Sequence, residues 1–404
     1  MGKKRKKKRF YSVPLHPVSL NDSVMKILIV CNNAYMRGNG VCSAVSSLRM
    51  RLLERGVEVR VLACENPEKG GMQPDYALRH FIFPIFEPIV RANGYRYPKL
   101  EKEKIQSAVE WADVVHLMEG FPLEGRVVKV AGKLGKPCVG TYHILTENIT
   151  ANLELPDNTF INRLINQWWR GTVYNHCQVV QCPTKTVREH LVENKYTAPM
   201  RVISNGIALH EMASTDEEPQ TNPYRILCIG RLSNEKSQRT LIEAMRYSRY
   251  ARNIELLFAG NGPKADKVKR AAHRLVTDGV VAHEPSFGFY TAAELRALAR
   301  TAYLYVHCAR IEVEGLSCLE MIQQGTVPVI AKNRLSATHQ FALTEQSLYP
   351  GGDARALAER IDWWIEHPEE RKAMSGKYAE SVKAYDINDS TQQIIDMYEE
   401  VMKR

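Results

Sequence analysis

The chain has 404 residues, too many for one ordinary hydrophobic core, so two domains are expected. With 44% hydrophobic and 25% charged residues it is an ordinary globular mixture, and no apolar run has the length of a bilayer span, so any membrane contact is expected to be peripheral. The formal net charge is +10, and the nine cysteines lack C-x-x-C spacing, which argues against a disulfide scaffold or zinc site and for reduced thiols in a cytoplasmic protein.

Part of the positive charge lies in Lys3-Lys-Arg-Lys-Lys-Lys-Arg9. Such a run can bind nucleic acid, serve as an address, lie on anionic lipid, or do nothing. Residues 1–24 are read as a disordered basic extension. No aromatic residues interleave the run, so no nucleic-acid partner is expected.

Met25-Lys-Ile-Leu-Ile-Val-Cys31 predicts a strand, Gly38-Asn-Gly40 a turn, and Val41 to Glu54 a helix that Gly56 ends. Strand, glycine turn and helix open a doubly wound sheet. Gly38-x-Gly40-x-x-Ser43 lacks the third glycine of a nicotinamide fingerprint, and the next strand, Val57 to Ala63, does not end on an acid. The turn is therefore read as one that lets a ligand approach the backbone.

Further alternation follows: Asp113–Leu117 as strand, Leu123 to Leu134 as helix, Pro137–His143 as strand. Polar residues at strand ends lie on the carboxyl edge, where open α/β folds bind ligands, and this makes His116, Glu119 and His143 candidates. Phe81-Ile-Phe-Pro-Ile-Phe86 and Ile161 to Arg170 are rich in aromatic groups. Trp168 and Trp169 point about 100° apart on a helix, so they cannot share one core-facing stripe. They are read either as packing between helices or as contacts with a membrane interface or apolar acceptor. Strands near Val179 and Val202 complete this half.

At Thr215-Asp-Glu-Glu-Pro-Gln-Thr-Asn-Pro223 the chain turns acidic and loses its apolar residues. Residues 25–209 are thus expected to form one domain, 210–223 a linker and 224–385 a second domain. A helix within 386–404, with Ile394, Ile395, Met397, Tyr398, Val401 and Met402 on one face, is expected to pack back across the boundary. Tyr224–Gly230 begins a new βα series whose turn carries Arg231 and Lys236, and Ile254–Ala259 runs into Gly260-Asn-Gly262.

Strand Tyr303–His307 leads to the most informative stretch, Glu312-Val-Glu-Gly-Leu-Ser-Cys-Leu-Glu320. A helix starting at Leu316 or Ser317 behind Gly315 would offer free N–H groups and a positive dipole end to an anion, and a diphosphate suits it. Ser317-x-x-Glu320 can also be a simple capping box. Three strand exits carrying phosphate-compatible features on one sheet edge favour a diphosphate-bearing ligand.

Together Gly230-Arg231…Glu235-Lys236, Ala259-Gly-Asn-Gly-Pro263, the glutamate pair Glu312 and Glu320, Met321…Gly325-x-x-Pro328-Val-Ile-Ala331 and Asn205-Gly206 resemble family 4 of the retaining glycosyltransferases. The resemblance implies a GT-B fold, two facing Rossmann-like α/β domains with a cleft between them. Thr141-Tyr-His143, Glu147 and the aromatic segments lean toward bacterial diacylglycerol glucosyltransferases. It further implies that Arg231 and Lys236 bind the diphosphate of a UDP-type nucleotide-sugar donor, with backbone N–H contacts from Gly315, Leu316 and Ser317. Glu320 would hold the ribose, Glu312 the sugar hydroxyls, and Gly38, Gly40, Gly260 and Gly262 would line the donor. His143, Glu119, Trp168 and Trp169 would lie on the acceptor side, with a hydroxyl of a lipid as acceptor.

Such an enzyme needs no cofactor or metal, since two cations and a helix dipole can stabilise the departing diphosphate. It is expected on the cytoplasmic face of an anionic membrane. Val313 and Glu314 depart from the glycine or proline and the phenylalanine common in the motif, and Met118 stands where some members have histidine. Nucleotide-sugar epimerisation and polysaccharide synthesis are the alternatives within the fold.

Overall fold

Each half of the chain builds one parallel sheet from its β-branched runs, as a computed structural model shows for residues 19–20, 23–35, 39–68, 72–84, 87–92, 95–152, 155, 158–210 and 218–403. The basic run, Gly38 and much of the linker lie outside the described residues. The first sheet has seven strands, ordered Met200–Val202, Val179–Cys182, Cys138–Thr141, Val114–Leu117, Lys26–Val30, Glu58–Cys64 and Tyr76–Leu78. The second has six, ordered Ser286–Gly288, Ile254–Ala259, Tyr224–Ile229, Leu304–His307, Pro328–Lys332 and Leu348–Pro350. Every pairing within these two sheets is parallel. Parallel strands buried on both faces need apolar residues throughout, and Ile27 to Cys31 are fully buried.

Strand order reverses beside Tyr224–Ile229, which has Ile254–Ala259 on one side and Leu304–His307 on the other. A crevice opens at such a switch point, beyond the carboxyl ends of the strands. The loops bearing Arg231, Lys236 and Glu312 leave the sheet there.

Helix Ile387–Met402 packs on the first sheet, not the second. Ile394, Ile395, Met397, Tyr398 and Val401 share a core with Ile27, Ile29, Val45 and Leu48. Tyr398 reaches His116 Nδ1 at 2.6 Å, and His116 Nε2 meets Thr141 Oγ1 at 2.7 Å. Thr141 donates to Gln181 Oε1 at 2.7 Å, so the proton on the ring lies at Nε2 and Nδ1 accepts from the Tyr398 phenol. Burial brings His116 down to about 3, which keeps the ring neutral. His116 is therefore not a ligand-binding residue: it is buried and both ring nitrogens are used. Tyr398→Phe leaves Nδ1 without a donor and is expected to lower the urea unfolding free energy by about 1–3 kcal/mol.

All nine cysteines are buried and unbridged. Among the described residues no helix is long and apolar enough to cross a membrane.

Candidate active site

Gly230 ends its strand, and the following turn is held from within. Gln238 Nε2 and Ser233 Oγ donate to the Arg231 carbonyl at 2.8 and 3.2 Å. Gly230 N donates to Ala259 O at 2.9 Å, and Leu232 N to Asn261 O at 3.0 Å, which stitches this turn to the next one. A Cβ on Gly260 would stand 2.2 Å from the Gly230 carbonyl oxygen, and one on Gly262 2.5 Å from that of Leu232. The two glycines thus permit the close approach of two turns, and the faces a side chain would occupy are filled by backbone. Their expected role as donor contacts is corrected to that extent.

Arg310 N donates to Glu235 O at 2.8 Å, joining the Arg231–Lys236 turn to the loop after Leu304–His307. Across this junction Lys236 Nζ pairs with Glu312 Oε2. Burial opposes the charge on Glu312, but Lys236 and then His307 outweigh it and bring the carboxyl down to about 2. Helix Leu316–Gln323 starts next to this pair, with Gly315 as N-cap at φ 83°. A Cβ on Gly315 would meet Thr338 Cγ2 at 2.1 Å and Glu312 Cγ at 3.3 Å, so only glycine fits the turn. Cys318 N donates to Gly315 O at 2.8 Å, while the N–H groups of Leu316 and Ser317 precede any intrahelical partner.

The capping-box alternative does not hold. Ser317 lies inside the helix, the N-cap makes no side-chain bond, and Glu320 is exposed one turn on. Lys236, Glu312 and the Gly315 turn are contiguous, and Arg231 stands half-buried at the head of the same loop. The arrangement can receive an anion at the helix start while a carboxylate faces hydroxyl groups beside it.

His307, the last residue of its strand, was missed by the sequence reading. Its Nδ1 lies 2.8 Å from the Tyr305 hydroxyl, and Nε2 faces Glu312 Oε2 at 3.6 Å, beyond hydrogen-bond range. Burial is the main cause that pushes its pKa down, which favours the neutral ring. The signal was available, because a polar residue ending a buried parallel strand is the same cue that singled out His143.

On the first domain the expected residues separate. His143 is half-buried, burial lowers it to about 4, and its Nε2 makes no hydrogen bond among the described residues. Gly40 opens helix Gly40–Glu54 with open space where a Cβ would be, and Asn39 caps it by accepting from Val41 N at 2.9 Å. Glu119 is buried and accepts from Asn32 N and Nδ2 at 2.7 and 2.9 Å, and burial raises its pKa. It fastens two strand exits together and is not a surface contact for an acceptor. Trp169 is corrected too: it is 0% exposed, edge-on to Phe121 and Tyr142 in the core. Trp168, one residue earlier on helix Thr159–Thr172, faces outward at 41% exposure, in line with Phe160 and Leu164.

Residues 38–211 match the model described as Glycosyltransferase Family 4, and residues 212–381 that described as Glycosyl transferases group 1. The chain is a family 4 glycosyltransferase of GT-B fold. As such it transfers a sugar from a nucleotide-sugar donor. This glycosyltransferase is 23% identical to an alpha-monoglucosyldiacylglycerol synthase of Streptococcus pneumoniae over 325 residues, which is 76% of this chain and 71% of that protein. It is 25% identical to a phosphatidyl-myo-inositol mannosyltransferase of Mycobacterium leprae over 395 residues, 93% of this chain and 97% of the other. In three dimensions it resembles Anabaena HepE, solved in complex with UDP and glucose, with a TM-score of 0.65 at 16% identity over 92% of this chain and 99% of that one. Among the described residues of the glycosyltransferase, no group of three or more His, Cys, Asp or Glu is arranged to hold a metal.

Proposed function

We propose that this glycosyltransferase is a retaining enzyme that moves a hexose from a UDP-linked donor to a hydroxyl of a membrane lipid, without a metal. The observation that carries the reading is the Lys236–Glu312 pair set against the Gly315 helix start. In that position Lys236 and Arg231 take the donor diphosphate, Leu316 and Ser317 N–H groups bind its oxygens, and Glu320 takes the ribose. Glu312, ionised at any physiological pH, accepts from sugar hydroxyls near the reacting carbon. As the anomeric carbon–oxygen bond breaks, charge builds on the diphosphate, and fixed cations there stabilise the transition state more than the ground state. The acceptor oxygen attacks the same face of the sugar, and its proton passes to the departing phosphate oxygen. No side-chain nucleophile is involved. His143 and, by its place beside Glu312, His307 line the sugar.

The lipid acceptor is supported by the activities for which both relatives are named and by one surface. Phe160, Leu164 and Trp168, spaced four residues apart, are 66, 49 and 41% exposed, with Arg163 exposed beside them. An apolar stripe flanked by a cation suits the interface of an anionic membrane, and the enzyme would sit peripherally on the cytoplasmic face. Changing Phe160, Leu164 and Trp168 together to serine is expected to weaken sedimentation with anionic vesicles by about tenfold or more. Activity on a short-chain, water-soluble acceptor should survive.

The reading is tested by incubation with UDP-glucose and other nucleotide sugars in the presence of diacylglycerol vesicles and EDTA. Mass spectrometry should show a glycosylated lipid, and proton NMR the donor's anomeric configuration. A free epimer, a polysaccharide, an inverted linkage or dependence on a divalent ion would each overturn the corresponding part.

A further inference from the structure

The loop that carries Glu312 touches both domains. Ile311 and Val313 are buried in the core of the first domain, and Thr184 Oγ1 donates to Val313 O at 3.1 Å. Between them and Gly315, the Glu314 side chain is buried against the segment by which the chain leaves the first domain. Its carboxylate accepts from Ser204 Oγ, from Asn205 N at 3.1 Å and from Asn205 Nδ2 at 2.6 Å. Ser204 Oγ in turn accepts from Gly206 N at 2.9 Å. The outgoing segment is also paired to the returning one, through Ile207 N to Tyr385 O at 2.9 Å and Ile387 N to Ile207 O at 3.0 Å.

We propose that Glu314 is a positioning residue: by bridging Ser204 and Asn205 to the loop that bears Glu312, it holds the donor carboxylate and the Gly315 helix start in register with the first domain. The inference rests on Glu312 and the helix start being the donor site. A buried carboxylate must have its donors or pay heavily for lost water, and Glu314 finds three in one dipeptide across the domain boundary. When the domains part, that carboxylate is rehydrated and its loop loses the tether. Since Glu312 and Gly315 are two and one residues away, the donor site is complete only in the apposed arrangement, and the apparent donor affinity scales with the fraction of molecules in it.

The environment also gives the tether a pH dependence. Burial raises Glu314 to about 7, its hydrogen bonds oppose the rise, and Glu312 adds to it. The groups that face it are Glu312 on its own loop and the Tyr385 phenol on the returning segment, whose pKa rises from burial and in part from Glu314. A carboxyl raised in the apposed state favours that state fully below its ordinary value, and the preference is lost as pH rises through about 7. Donor KM should therefore climb from about pH 4.5 to about pH 7 and level off above it.

The test compares Glu314→Ala, Glu314→Gln, Asn205→Ala and the Glu314→Ala/Asn205→Ala pair in steady-state kinetics with UDP-glucose, alongside thermal melting and UDP binding by calorimetry. Glu314→Ala is expected to raise donor KM about tenfold with kcat changed less than about twofold. The double variant should match Glu314→Ala alone, because without the carboxylate the Asn205 amide has no contact left to lose; Asn205→Ala by itself should show a smaller part of the effect, since Ser204 Oγ and Asn205 N still reach Glu314. Glu314→Gln keeps an acceptor oxygen without a titrating proton, so its KM should stay near wild type at low pH and lose the climb. An unchanged KM in a folded Glu314→Ala, additive effects in the double variant, or a wild-type pH slope in Glu314→Gln would each overturn the proposal. Lys236→Ala, run in parallel, separates the readings: if it too leaves UDP binding intact, it is the donor site itself that is wrongly placed.

Discussion

Lys236→Ala is expected to cut turnover by about two to three orders of magnitude while the protein stays folded. The ammonium stands where the Arg231–Lys236 turn meets the Glu312 loop, and it has two duties. In the empty enzyme it neutralises Glu312. With donor bound in the proposed site, it would lie between that carboxylate and the diphosphate, where the charge of the leaving group develops. Removal therefore loses transition-state stabilisation and leaves Glu312 a buried, uncompensated anion facing an anionic substrate. Donor binding, read by calorimetry with UDP, should weaken along with kcat. Lys236→Arg should retain part of both, and full activity in the alanine variant would remove the mechanism.

Glu312→Ala is expected to lower kcat/KM for the nucleotide sugar by about two orders of magnitude, since a charged acceptor for sugar hydroxyls is lost. Its effect on UDP alone should have the opposite sign from that of Lys236→Ala. UDP has no sugar for Glu312 to hold, and Lys236 without its partner is freer to bind phosphate. Equal loss of UDP affinity in the two variants would show that Glu312 acts only by propping Lys236. A second readout follows from the carboxyl being held near 2. A depressed carboxyl stabilises the native state fully above its ordinary value and loses that contribution as pH falls toward about 2. Glu312→Gln should therefore flatten the acid limb of stability against pH between about pH 4.5 and about pH 2.

The sheets were legible because buried parallel strands are almost continuous apolar runs. Tyr224–Ile229 and Ile254–Ala259, for example, match the runs seen in the sequence, each with a glycine immediately after. That the loops bearing Arg231, Lys236 and Glu312 meet at one sheet edge was legible for the same reason, since a strand exit fixes which edge its turn faces. What could not be read was how side chains divide between ligand and protein. Gly260 and Gly262 looked like room for a phosphate and are instead the contact between two turns. Trp169 could not be told from Trp168 until the helix had a neighbour to bury one of them. Glu314 looked like a departure from a motif, because its partners Ser204 and Asn205 lie more than a hundred positions earlier, in the other domain.

Helix Ile387–Met402 has a consequence for how the chain folds as it is made. It completes the core of the half synthesised first, yet it leaves the ribosome only after both sheets have emerged. Until then the nascent first sheet exposes Ile27, Ile29 and Val45 without their cover, a state prone to aggregation. Emergence of residues 387–402, by closing that gap, would act as the signal that lets the N-terminal half settle.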